Sequence, residues 1–402
     1  MTAAGVENSA GRERSAVILS GGGAYGAYEI GVMKALLKGL SPATRHQPLD
    51  VDIFTGTSVG AVNAAVMVSQ PGVPSSSTIE YLERIWLEQI ADSDQRCGNG
   101  VYRFRGDLLR YFDTQCINPL MPLVELTEDG STLAQEFIRR GLNFLRSPGS
   151  LQTRALEFVD LSAFVSSEPL VMLVRQIISL EGIRRSEKAL RIVATNWATG
   201  AVKIFENRDV TDEYGYQIIL SSTAIPGFFP PQYVAGEPYV DGGVVMNTPL
   251  KCAIRAGATS LHVIYLDPDV SNIPLKVLQN TYNTLDRTLL ITNATITNED
   301  IDTAAWINEG LAALEHTTAG EEITSQEMLA FIRVAAKIQE SIRKGVRYMK
   351  LTIHRYHPHR DPGGGGLGTL NFNRDRMLNL IELGYQDTIQ HDCRASHCIL
   401  PT

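Results

Sequence analysis

A chain of 402 residues that is 44% hydrophobic carries enough apolar material for a full core, which excludes a generally disordered protein. A net charge of −8, with no Lys/Arg block and no aromatic-basic interleaving, excludes nucleic acid as the main partner. Five scattered cysteines, an odd number, exclude a disulfide framework and point to a reducing compartment, here the cytoplasm.

Residues 1–15 are polar, lack the apolar stretch of a secretory signal and are expected to be disordered. The apolar run Ala16-Val-Ile-Leu reads as a strand. The turn Ser20-Gly-Gly-Gly-Ala-Tyr-Gly follows it, and then a helix with Ile30, Met33, Leu36, Leu37 and Leu40 on one stripe. Gly21, Gly23 and Gly26 have the G-x-G-x-x-G spacing of a dinucleotide-binding turn, so an NAD(P)-dependent oxidoreductase is one reading. That fingerprint wants an acid at the end of the second strand. Here the strand starts with Asp50 and Asp52 and ends in Thr55-Gly-Thr-Ser, where ribose recognition would have to sit. The second helix spans Val59 to Ser69 and stops at Pro71-Gly72. Two strand-turn-helix units in succession predict parallel strands with helices on the sheet faces.

From about 73 to 188 the pattern is mostly helical with polar breaks and reads as an insertion. Sheet structure returns with Leu190-Arg-Ile-Val-Ala-Thr-Asn and Ala201-Val-Lys-Ile-Phe, a hairpin about Thr199-Gly200. A helix near Tyr216 to Ala224, a strand from Tyr239, a helix from Thr248 to Ala256 and a strand from Leu261 follow. Beyond residue 270 the reading is helical, with segments at about 274–295, 300–315 and 325–348. Met349 to His354 reads as a strand, a glycine loop follows, and a last helix runs from Arg374 to Gln390. The fold class is therefore α/β. Residues 16–270 are expected to form one α/β domain with the insertion inside it, and residues 271–402 a mostly helical C-terminal region packed on that core. No apolar run reaches about 18 residues, so no spanning helix is expected.

Gly56-Thr-Ser58-Val-Gly60 is G-x-S-x-G between a strand and a helix, the context in which a serine becomes an exposed nucleophile. The helix N-terminus that follows favours negative charge. The bland alternative is a tight turn with Ser58 as a helix cap. No downstream histidine stands in a catalytic context. His262 sits inside an apolar strand and reads as a core histidine. His354, His357 and His359 resemble metal spacing, but Arg355, Arg360 and the glycines around them favour a solvated loop. Cys393 and Cys398 form C-x4-C beside His391 and His397, but nothing upstream pairs with them, so no metal is expected. The strongest acid is Asp241, which closes an apolar strand and precedes Gly242-Gly243. A carboxylate beside a serine can act directly as general base if partial desolvation raises its basicity.

The glycine turn at 21–23, Ser58 in G-x-S-x-G and Asp241 in D-G-G, in this order, resemble the patatin-like phospholipase family. Arg191-Ile-Val-Ala-Thr-Asn-Trp-Ala-Thr-Gly and Ser221-Ser-Thr-Ala-Ile-Pro-Gly-Phe-Phe-Pro-Pro agree with it. Gly368-Thr-Leu-Asn-Phe is similar to bacterial members. The resemblance spans about residues 16–268. It implies a three-layer α/β/α core and a lipid acyl hydrolase of the phospholipase A or lysophospholipase type. Ser58 would be the nucleophile, Asp241 the proton acceptor, and the backbone N–H groups of Gly21, Gly22 and Gly23 the oxyanion hole. Gly56, Gly60 and Gly242 would shape the turns. No cofactor or metal is implied. The expected partner is a phospholipid, lysophospholipid or other acyl ester, with peripheral membrane contact. A non-catalytic lipid-binding or storage protein on the same fold is the alternative. One position departs from the family: Tyr25 stands where the glycine loop usually carries Arg or Lys.

Overall fold

In the first strand, β1 (Ser15–Leu19), alternate side chains enter two different cores. Val17 and Leu19 belong to the larger apolar cluster, Ala16 and Ile18 to the smaller one on the opposite face. This period of two is what a strand buried on both faces requires. The computed structural model describes residues 13–93, 98–105, 165–266, 281–319, 350–359 and 365–400, with a few positions between 129 and 138.

After β1 the chain makes a short 3-10 turn, Gly23–Tyr25, and enters α1 (Gly26–Leu37). Strand β2 (Ile53–Thr57) leads into α2 (Val59–Val68). Helix α3 (Ser75–Ile85) ends in a single π turn, Trp86–Ile90. Two short strands, β3 (Arg103–Phe104) and β4 (Val165–Ser166), pair antiparallel apart from the main sheet. Helices α4 (Glu168–Ile177) and α5 (Leu180–Arg185) precede the hairpin of β5 (Ala189–Asn196) and β6 (Val202–Glu206). Then come α6 (Gly215–Ser222), β7 (Gln232–Val234), β8 (Glu237–Asp241), α7 (Leu250–Arg255) and β9 (Ser260–Ile264). The chain continues with α8 (Thr281–Ala319), β10 (Thr352–Tyr356) and α9 (Arg374–Ile389).

Eight strands form one sheet in the order β10-β9-β1-β2-β5-β8-β7, with β6 also on β5. Strands β10 through β5 run parallel, while β6, β7 and β8 add antiparallel pairs. Helices cover both faces, so the α/β/α layering expected from the strand-helix alternation is the observed fold.

Two details differ from the sequence reading. A single helix, α8, replaces the expected pair at 274–295 and 300–315. Asn298-Glu-Asp looks like a polar break. A buried stripe of Thr297, Ile301, Ala304, Asn308 and Ala312 nevertheless continues across it at three- and four-residue intervals. Asn308 also ties α8 to the start of β10. Its Nδ2 donates to the Leu351 carbonyl at 2.6 Å and its Oδ1 accepts from the Leu351 amide at 2.9 Å. The second difference is His354, which lies on β10 and is buried rather than solvated. The expected helix at 325–348 and most of the expected N-terminal disorder lie outside the described residues, and Ser15 already belongs to β1.

The C-terminal helix α9 packs closely along α1. Gly31 lies under the Ile381 carbonyl and Gly384 under the Tyr28 carbonyl, so neither position has space for a side chain. The Tyr28 hydroxyl donates to Asp387 at 3.0 Å. Among the described residues no helix is long and apolar enough to cross a membrane.

Candidate active site

Ser58 and Asp241 meet because two strands share one edge of β5. Strand β2 pairs with β5 up to Thr57 opposite Val193. Strand β8 runs the other way and pairs from Asn196 back to Ala194, which stands opposite Asp241. Strand β6 takes the other edge of β5, alongside both. So β2 and β8 abut head to head, and the residue after Thr57 faces the last residue of β8. No local pattern in the sequence announces this register, because it follows from long-range pairing.

The turn at Ser58 is strained as a nucleophile elbow requires. Its φ is 55° and ψ −126°, a region that non-glycine residues adopt only when their surroundings impose it. The surroundings are visible. The Ser58 amide donates to Ser222 Oγ at 2.9 Å, and Ser222 Oγ donates on to the Val193 carbonyl at 2.6 Å. The turn is also as tight as its glycines allow. A Cβ at Gly56 would collide with the Gly60 carbonyl, and one at Gly60 would lie 2.5 Å from the Leu19 carbonyl. Both obstacles are backbone, which cannot swing away. Gly60→Ala is therefore expected to destabilise the fold by about 3 kcal/mol or more, as overpacking against rigid neighbours does. Urea unfolding checks this, and a midpoint equal to wild type refutes the steric account.

Asp241 is buried, 4% exposed. Its Oδ1 accepts from the Gly243 amide at 2.7 Å. Its Oδ2 is buried and lacks a partner in full hydrogen-bond geometry. Burial pushes the carboxyl up from 3.8 to about 7. Hydrogen bonding to the Ser58 side chain and to the Gly243 amide works against that rise. The result is a carboxylate whose basicity matches neutral pH.

The glycine loop lies against this pair. A Cβ on Gly21 would be 3.0 Å from Ser58 Cβ. Of the three amides expected in an oxyanion hole, that of Gly21 is already committed, donating to the Asn247 carbonyl at 3.2 Å. The Asn247 side chain returns a bond to the Gly21 carbonyl at 3.1 Å. The amides of Gly22 and Gly23 have no protein acceptor among the described residues, so the available donors narrow to these two. Gly23, at φ 56°, provides the backbone sense that aims the turn. The same packing disfavours the dinucleotide reading. The open sides of Gly21, Gly22 and Gly23 are filled by Asn247, Leu266 and Thr369, where a pyrophosphate would need to approach.

Tyr25 is buried in the loop, and the Arg376 guanidinium from α9 stands 4.8 Å over its ring. The positive charge absent from position 25 thus arrives from a helix about 350 residues later. Arg376 also donates to the carbonyls of Gly368 and Asn371.

A pocket partly open to solvent extends from Ser58. Its wall is mainly apolar and includes Val62, Trp86, Leu170, Ile225, Phe229 and Phe372. Phe229 is buried and lines the pocket. Asn63 sits at the pocket wall in a buried chain. Trp86 Nε1 donates to Asn63 Oδ1 at 2.9 Å, and Asn63 Nδ2 donates to Glu29 at 2.8 Å. Burial pushes the Glu29 carboxyl up, and the hydrogen bond from Asn63 works against that rise.

Sequence reasoning missed Asn247, Ser222 and the Glu29–Asn63–Trp86 chain. Ser222 and Asn247 lay within stretches already singled out or directly following them. What could not be seen was which backbone group each would hold.

A family model described as patatin-like phospholipase matches residues 17–254. The chain is 22% identical over 266 residues to the uncharacterized protein L620 of Acanthamoeba polyphaga mimivirus, covering 60% of this chain and 63% of that protein. Among solved structures it is similar to VipD from Legionella pneumophila, with a TM-score of 0.36 and 15% identity, over 94% of this chain and 66% of that one. The chain thus spans less than two thirds of the viral protein and about two thirds of VipD.

Proposed function

We propose, from the premise that the chain belongs to the patatin-like phospholipase family, that it hydrolyses acyl esters of lipids with a Ser58–Asp241 dyad. The observation that carries this reading is the abutment of β2 and β8, which sets a strained serine against a buried carboxylate of raised basicity. Ser58 Oγ attacks the ester carbonyl while its proton passes to Asp241. The carbonyl oxygen becomes an oxyanion held by the amides of Gly22 and Gly23. Such a donor contributes about 3–4 kcal/mol in other enzymes. Collapse of this intermediate expels the alcohol, which takes the proton from Asp241 and leaves an acyl-serine. A water then gives its proton to Asp241 and attacks the acyl carbon. The second collapse releases the fatty acid and returns the proton to Ser58.

The apolar pocket is suited to the acyl chain, not to the head group. Chain length should therefore govern rate more than head-group chemistry. Phospholipids, lysophospholipids and neutral esters are all candidate substrates on this reading, with membrane contact peripheral. The test is hydrolysis of a panel of these lipids at several acyl lengths. In Ile225→Trp, which places a large ring in the pocket wall, kcat/KM for long chains should fall about tenfold or more while short-chain esters are retained. An equal loss at every length removes the pocket from the argument. Absence of hydrolysis, with liposome binding intact, favours a lipid-binding protein instead.

A further inference from the structure

Two histidines and two cysteines that the sequence scatters over 45 residues converge at the sheet edge formed by β10. Cys393 Sγ lies 3.5 Å from His354 Nδ1 and 3.6 Å from His391 Nε2. Cys398 Sγ lies 3.4 Å from His391 Nε2. All four ligand atoms fall within 4.8 Å of one another. Bonds of about 2.3 Å to sulfur and 2.0–2.1 Å to nitrogen place neighbouring S and N about 3.6 Å apart across a tetrahedral angle. The observed separations match that spacing.

We propose that His354, His391, Cys393 and Cys398 bind one structural zinc ion. The donor set is two thiolates and two imidazoles, borderline-soft and charge-neutralising for a divalent ion, and zinc is the metal that such a tetrahedral set selects. With four protein ligands the shell is closed, so the ion holds structure and supplies no activated water.

The surroundings suit this use. His354 and His391 are 6% and 5% exposed, so both rings are withdrawn from solvent beside the two sulfurs. The Arg355 amide donates to Cys398 Sγ at 3.4 Å, an outer-shell bond that steadies a thiolate ligand. His354 stacks on His262, with ring centroids 5.0 Å apart. His262 in turn meets the Tyr356 hydroxyl at 3.1 Å, so the His354 ring is held against a fixed neighbour.

The position gives the ion a task. The tail closes on itself through the Cys398 amide to the Cys393 carbonyl at 2.9 Å. It bridges back to β10 through reciprocal Ile353–Ile399 bonds of 2.8 and 2.9 Å. Zinc would fasten β10, the end of α9 and the tail at one point. From there α9 runs along α1 to Arg376 on Tyr25, and Thr369, Leu370 and Phe372 before it wall the pocket.

The test uses the untagged full chain, purified without chelator, and needs no catalytic readout. Elemental analysis should find about one zinc per chain after dialysis. His354→Ala and the double change Cys393→Ser with Cys398→Ser should each leave under about 0.1. Replacement by cobalt should give the visible bands of a tetrahedral ion together with a thiolate charge-transfer band. This spectrum is read on the wild-type chain, so it decides the matter even if the variants fail to fold. A strong chelator should lower the Tm of the wild-type chain, and added zinc should restore it. A chain that stays zinc-free in excess zinc, a cobalt spectrum without a thiolate band, or a Cys393–Cys398 disulfide as the stable form would each overturn the proposal. None of these outcomes depends on whether the chain hydrolyses lipid.

Discussion

Ser58→Ala is expected to lower kcat/KM for ester hydrolysis by about 10⁴-fold or more and to abolish covalent labelling by a fluorophosphonate. The magnitude follows from the role, since removing a nucleophile leaves only the rate enhancement from binding and the oxyanion donors. The fold should survive, because the strain at φ 55° is held by backbone and by Ser222, not by the Ser58 hydroxyl. Ser58→Gly separates the two roles of this residue. It should be as inactive as the alanine variant, yet more stable than it by about 1 kcal/mol, because glycine adopts positive φ without steric cost. Mass spectrometry of the labelled chain and urea unfolding of both variants supply the readouts. Labelling at another serine, or turnover in Ser58→Ala near the wild-type rate, would remove Ser58 from the mechanism.

What was legible in the sequence was local. The apolar run of β1, the apolar stripe of α1 and the glycines about Ser58 all act within a few residues, and each predicted its element. Asp241 stood out because a carboxylate that closes an apolar strand before two glycines is an unusual place for charge. The pairing of Ser58 with Asp241 was legible only through the family resemblance. Its physical cause is that two strands meet end on along β5, which brings together residues 183 positions apart in sequence. The Gly21 amide was misplaced for the same reason, since its acceptor lies on Asn247 in a later segment. His354 failed in a different way. Its neighbours Arg355 and Arg360 and the glycines beyond suggest solvent. On a strand, however, alternate residues face opposite ways, and His354 shares the buried side with Tyr356 while Arg355 is only partly buried. With His354 read as a solvated residue, Cys393 and Cys398 had no upstream partner in the sequence reading.

Asp241→Asn should do two opposite things: remove activity and raise stability. Loss of a general base costs about 10²–10⁴-fold in rate, and in the proposed mechanism the same carboxylate serves both half-reactions, which favours the upper end. In the wild-type chain the rate should climb about tenfold per pH unit below about 7 and level off above it, because only ionised Asp241 accepts the Ser58 proton. The stability argument uses the same shift with the opposite benefit. Between 3.8 and about 7 the folded chain holds a proton that the unfolded chain has released. Stability is therefore highest below the unfolded value and falls as pH rises through this window. Beyond about 7 the loss is complete, at most about 4 kcal/mol. Asparagine keeps an acceptor for the Gly243 amide, can turn its NH2 toward Ser58, and never ionises. The variant should consequently gain a few kcal/mol over wild type at pH 8 and much less at pH 5, as measured by urea unfolding at both. A wild-type rate that is flat from pH 5 to 8, or a variant no more stable at pH 8 than at pH 5 relative to wild type, would contradict a buried base at position 241. Function on this reading is bought with stability, and the substitution that ends the chemistry is the one that relaxes the fold.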